Sequence, residues 1–195
     1  MPGRDVNISA TFTVAPVEEV EDPMDAFTDV DEDAWYYDAV SSMVEQGYMN
    51  GTSETTFEPF LNLTRAMIAQ ILYNMEGAQG NGEAAFTDVA DSQWYADAVN
   101  WAASEGIVSG YGDGTFGPND PITREQMATI LYQYAAYKGY DLSDTASLDA
   151  FTDAADVSSW ALPYVQWAVG CGIMNGRDNG TLDPAGTATR AEIAV

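Results

Sequence analysis

Apolar residues recur along this chain at helical spacing, in short segments that come in pairs. Trp94, Ala98, Trp101 and Ala102 fall on one face of a helix. Met127, Ile130, Leu131 and Tyr134 form the face of a second helix, and Ile68, Ile71, Leu72 and Met75 form a matching one earlier in the chain. Between the two helices of a pair runs a segment such as Gly110-Tyr-Gly-Asp-Gly-Thr-Phe-Gly-Pro118, too rich in Gly and Pro for regular structure. Residues 5–14 behave differently: apolar and polar positions alternate with period two, which predicts a strand. A lone strand has nothing to pair with, so residues 1–25 read as the tail of a preceding β domain plus an acidic linker.

The pairs are copies of one unit. Trp35, Trp94 and Trp160 each follow a Phe-Thr-Asp turn, at Phe27-Thr28-Asp29, Phe86-Thr87-Asp88 and Phe151-Thr152-Asp153. Sixteen residues after each Trp stand Gly51, Gly110 and Gly176, and fourteen further on stand Arg65, Arg124 and Arg190. Gly47, Gly106 and Gly172 share the register, as do Pro59, Pro118 and Pro184, and Thr64, Thr123 and Thr189. Such agreement without gaps marks an internal repeat. The repeats are assigned to 26–80, 81–145 and 146–195. The expected fold is mainly α: three tandem helix-loop-helix repeats with a short N-terminal β segment.

Local chemistry fixes the expected boundaries. Gly47, Gly106 and Gly172 sit where a helix-ending glycine belongs. Thr64, Thr123 and Thr189 are natural N-caps; Gln126 and Glu192 can complete capping boxes, and Met67 cannot. The connections Glu76 to Ala85 and Lys138 to Ala150 are polar enough to read as flexible linkers. The third copy carries nothing matching Ile71, Leu72 and Met75, so the chain is expected to be a piece of a longer one, cut at both ends.

Composition narrows the function. The 31 acidic residues against 6 basic ones give a net charge of −25, which repels nucleic acid and anionic membranes. There is no His and one Cys, which excludes ordinary zinc sites and His-dependent catalysis. Cys171, among Val169, Gly170, Gly172 and Ile173, reads as a small buried residue. Asp29, Asp31 and Asp33 begin like a calcium loop, but Ala34 and Val40 stand where that loop needs Gly and Glu. No metal and no cofactor is expected, and no carboxylate pair recurs in a way that demands glycoside hydrolysis.

The pattern Phe-Thr-Asp-Val, Trp-Tyr-x-Asp-Ala-Val, Gly-Ile-Val-Ser-Gly, Gly-Asp-Gly-Thr-Phe-Gly-Pro and Ile-Thr-Arg-Glu resembles the S-layer homology domain, over residues 26 to 195. The hallmark Thr-Arg-Ala-Glu is whole only at Thr189-Arg190-Ala191-Glu192; copy two has Thr123-Arg124-Glu125-Gln126 and copy one Thr64-Arg65-Ala66-Met67. The resemblance implies a pseudo-threefold bundle, a monomer with ligand grooves between copies, fused to an upstream domain. It also implies an extracellular, non-catalytic module that anchors a surface protein to cell-wall polysaccharide, commonly a secondary polymer bearing pyruvate ketals.

Arg65, Arg124 and Arg190 lead the site candidates, being half of the chain's six cations. An arginine in a first helical turn opposes the helix dipole, yet its fork and the N–H groups beside it suit a carboxylate ligand. The competing reading is a salt bridge to an Asp of the Phe-Thr-Asp turn. Trp35, Trp94 and Trp160 either stack on a sugar or belong to the core. Gly51, Gly110 and Gly176 either let backbone approach a ligand or relieve a positive φ. Asp29, Asp88 and Asp153 either meet sugar hydroxyls or cap the following helix. Arg124 stands first, with the best loop in an intact copy; the alternative function is a structural or protein-interaction module without glycan binding.

Overall fold

The computed structural model describes residues 22–80, 82, 83 and 85–195. The strand expected over residues 5–14 lies outside them. Among the described residues are six α-helices, two per copy: α1 (Tyr37–Glu45) and α2 (Arg65–Met75), α3 (Ala96–Ser104) and α4 (Arg124–Tyr137), α5 (Leu162–Gly170) and α6 (Arg190–Ala194).

The first helices end as their glycines require. Gly47 and Gly106 have φ of 71° and 72°, and the residue after each, Tyr48 and Ile107, donates back to Met43 and Ala102, five positions toward the N-terminus in the Schellman manner. The second helices begin as their threonines require. The side chains of Thr64, Thr123 and Thr189 accept from the amides of Met67, Gln126 and Glu192. Gln126 and Glu192 complete capping boxes, as expected.

The copies close on one another in a ring. The Leu63 amide donates to Ala188, Ala188 to Ile122, and Ile122 to Leu63, at 2.8–3.0 Å. All three residues are buried, and three antiparallel bridges surround them: Asn62 with Thr189, Thr64 with Pro121, and Thr123 with Thr187. The second helices therefore start side by side around a pseudo-threefold axis. Each then packs against the first helix of the next copy: α2 on α3, α4 on α5, α6 on α1.

Several core expectations hold and others do not. Ile68, Ile71, Leu72, Met127, Ile130, Ala98, Trp101 and Ala102 are buried. Met75 is exposed, and Trp94 precedes α3, so it leaves the face that Ala98 and Trp101 share. Cys171 is exposed, not buried: it caps α5 on the outside, where slight burial and the charges of Asp144 and Asp141 raise its thiol pKa. The connections are strapped down. The Ala146 amide bonds the Gln166 carbonyl, Leu148 is buried, and the Ala85 amide bonds Asn100.

Candidate functional site

Each Phe-Thr-Asp turn is a clip on the loop of its own copy. Asp29 accepts from the amides of Phe57 and Glu58, Asp88 from Phe116 and Gly117, and Asp153 from Leu182 and Asp183, all at 2.7–2.8 Å. Both oxygens of each carboxylate are engaged, so these residues cap neither the next helix nor a cross-copy arginine. Desolvation works against ionising Asp88 and Asp153. The backbone amides outweigh it and hold both carboxyls below the ordinary aspartate value. The phenylalanine of the turn fills the space over the groove glycine: a Cβ on Gly51, Gly110 or Gly176 would lie 2.5–2.6 Å from the Phe27, Phe86 or Phe151 ring. None of these glycines has positive φ; a packing contact explains them.

The arginines reach across copies. Arg65 of copy one donates from Nε to the Phe116 carbonyl and from Nη2 to Ser109, each at 2.7 Å. Arg124 does the same to Leu182 and Asn175 of copy three, and Arg190 to Phe57 and Asn50 of copy one. Arg124 therefore serves the loop of copy three, and the Gly110–Pro118 loop belongs to Arg65. The amides of the same helix starts are also taken: Arg65 and Ala66 donate to Asp120 and Pro118, Arg124 and Glu125 to Gly186 and Pro184, and Arg190 and Ala191 to Leu61 and Pro59. The free N–H groups expected beside each fork are thus spent on the neighbouring loop.

All three arginines are at most 6% exposed. Burial pushes the pKa of each down from the ordinary arginine value, though all stay charged. Arg65 lies under the rings of Tyr111 and Phe116, 4.8 and 4.5 Å from their centroids, and Arg190 over Phe57 at 4.4 Å. Among the described residues, neither Arg65 nor Arg190 has a carboxylate within ion-pair distance. A buried guanidinium bonded only to carbonyls and ring faces lacks a full counter-charge. Arg124 differs: Glu192 stands 3.6 Å from it and also pairs with Arg177.

Two grooves open over Arg65 and Arg190. One, of about 470 Å³, joins Arg65, the Ser109-Gly110-Tyr111 loop and α4 with Trp160 and Tyr164 of copy three. The other, of about 500 Å³, joins Arg190, the Asn50-Gly51-Thr52 loop and α2 with Trp94 of copy two. All three copies therefore contribute to each groove. Trp35, Trp94 and Trp160 are 63%, 60% and 50% exposed and stand outside the core. Glu125, itself buried, holds the Trp160 segment by accepting from Ser158 N and Oγ. Glu125, Tyr111 and Tyr164 were not singled out from the sequence. They carry no repeat signal, because the matching positions hold other residues.

Comparison with known proteins agrees with this architecture. The S-layer homology domain model matches residues 26–67, 85–128 and 150–194, more than half of the chain. An exoglucanase, XynX, of Acetivibrio thermocellus is 35% identical over 87% of this chain and 16% of its own length. A surface-layer 125 kDa protein of Lysinibacillus sphaericus is 33% identical over 81% of the chain and 13% of its own. A cellulosome-anchoring protein of A. thermocellus is 32% identical over 74% and 33%. The chain thus spans a third or less of these relatives. Three helix-loop-helix copies closing into a ring, and a family match on each copy, place this chain in the S-layer homology domain family.

Proposed function

We propose that this chain, an anchoring module of the S-layer homology family, tethers a surface protein to the bacterial cell wall by binding an anionic, pyruvylated secondary wall polysaccharide. One observation carries the reading: Arg65 and Arg190 are buried cations without a carboxylate partner among the described residues, each in a groove that a tryptophan edges. A guanidinium has five N–H groups, and two are given to carbonyls. The three left match a ligand carboxylate, which a pyruvate ketal supplies. An exposed indole beside it suits a sugar face.

The names of the relatives support an anchoring role. An exoglucanase, a surface-layer protein and a cellulosome-anchoring protein share this module as a minor part of their length. A part common to such different proteins is not where the hydrolysis of one of them resides.

The alternative, a structural module whose arginines only stitch copies, also has an observation behind it, the cross-copy carbonyl bonds. Arg→Ala variants would lose stability under either reading. The exposed tryptophans separate them. Purified chain is sedimented with cell walls before and after mild acid removal of the ketals. Trp94→Ala and Trp160→Ala are expected to weaken retention up to about tenfold each with unchanged melting temperature, a contact made by an aromatic ring being worth about 0.5–1.5 kcal/mol beyond the area it buries. Retention that ignores both the ketals and the tryptophans would leave only the structural module.

A further inference from the structure

The position after the groove glycine is Thr52 in copy one, Tyr111 in copy two and Arg177 in copy three. In copy two this residue packs its ring on the cross-copy arginine, and the other copies have no ring to do so. Tyr111 and Phe116 both set a ring against the Arg65 guanidinium, so two aromatic side chains pack on it. Tyr111 is fixed in turn, its hydroxyl donating to Asp120 at 2.9 Å. Asp120 also accepts the Arg65 amide through its carbonyl, so clamp and arginine share one anchor. Gly117 completes the set, since a Cβ there would lie 2.6 Å from the Tyr111 ring.

Copy one has none of these parts. Thr52, Glu58 and Leu61 stand where Tyr111, Gly117 and Asp120 stand. The Thr52 hydroxyl turns back to the Thr56 carbonyl of its own loop. Among the described residues Arg190 then has one ring against it, that of Phe57, and it lines its groove without a second.

We infer that the Tyr111–Asp120–Gly117 set makes the two grooves unequal, the Arg65 groove being the pre-organised, tighter site and the Arg190 groove the weaker. The inference rests on the glycan reading above. An arginine already packed against two rings loses less freedom when a carboxylate binds, and Tyr111 and Trp160 both line that groove. Tyr111 acts here as a positioning residue.

The test is a calorimetric titration of this chain with a hexoside carrying a pyruvate ketal. Two classes of site about tenfold apart are expected. Tyr111→Thr should weaken only the tight class and merge it with the other. Tyr111→Phe, which keeps the ring but loses its Asp120 anchor, should fall between the native chain and Tyr111→Thr. The transplant Thr52→Tyr/Glu58→Gly/Leu61→Asp should raise the weak class to the tight one, a gain that misfolding cannot mimic. A single class in the native chain, or two classes indifferent to Tyr111→Thr, overturns the inference and leaves the glycan reading intact. No binding by the native chain overturns both.

Discussion

The aspartates of the Phe-Thr-Asp turns accept two backbone hydrogen bonds each, one per carboxylate oxygen, and protonation turns one of those oxygens into a hydroxyl, a much weaker acceptor. Asp88 and Asp153 titrate below the ordinary value of 3.8 once folded. A depressed carboxyl contributes stability that is present above its unfolded pKa and is lost as pH falls through the folded one. Their contribution should therefore be constant near neutrality and disappear only below about 3.8. Melting temperature followed from about pH 6 down to about pH 2 should fall steeply in that lowest range. Asp88→Asn should be less stable at neutrality and flatter there, because its amide has no charge to lose. An equal acid slope in both proteins would deny the carboxylate this role. The sequence had these aspartates recurring for a reason and offered sugar hydroxyls or the start of the following helix as partners; the loop amides they bond were on neither side of that choice. The partner is the loop 28 or more positions on, and spacing alone does not reveal which amides a turn will meet.

Helix ends were the most legible elements, because their chemistry is local. Thr64, Thr123 and Thr189 cap as their types and positions require, and the missing glutamine or glutamate left copy one with half a capping box. Met67→Gln reproduces in α2 what Gln126 does in α4, with the same groove position to occupy. It should stabilise the chain by about 0.5–1 kcal/mol, seen as a higher urea midpoint at unchanged slope. A lower midpoint would mean that Met67 contributes more by packing than the cap returns. Less legible was Trp94: α3 starts two residues after it, which frees the ring from the helical face its spacing suggested. Least legible was the pairing of Arg124. Three similar loops are interchangeable on paper, so own-loop and next-loop pairing look the same until the ring of Leu63, Ile122 and Ala188 fixes the direction of rotation.

At the scale of the molecule, the ring and the charge work against each other. Arg190 closes the ring by bonding Phe57 and Asn50, 133 and 140 positions away, so copies one and three are tied through a cation that the chain has few of. Around that closed ring lies a net charge of −25. An anionic polymer approaching from solution meets this field first and the buried arginines last. The Debye length falls from about 10 Å at 0.1 M salt to about 3 Å at 1 M, so the repulsion is screened at distances where the arginine contact, shielded in its groove, is not. Binding of a pyruvylated wall polymer should therefore associate faster as salt rises, the reverse of ordinary electrostatic steering. Dissociation should change less, since it is set by contacts at a few ångströms. Surface plasmon resonance over that salt range separates the two rates. An association rate that falls with salt would mean that the grooves project positive potential beyond the acidic surface, and that capture is steered by Arg65 and Arg190 from a distance rather than by fit on contact.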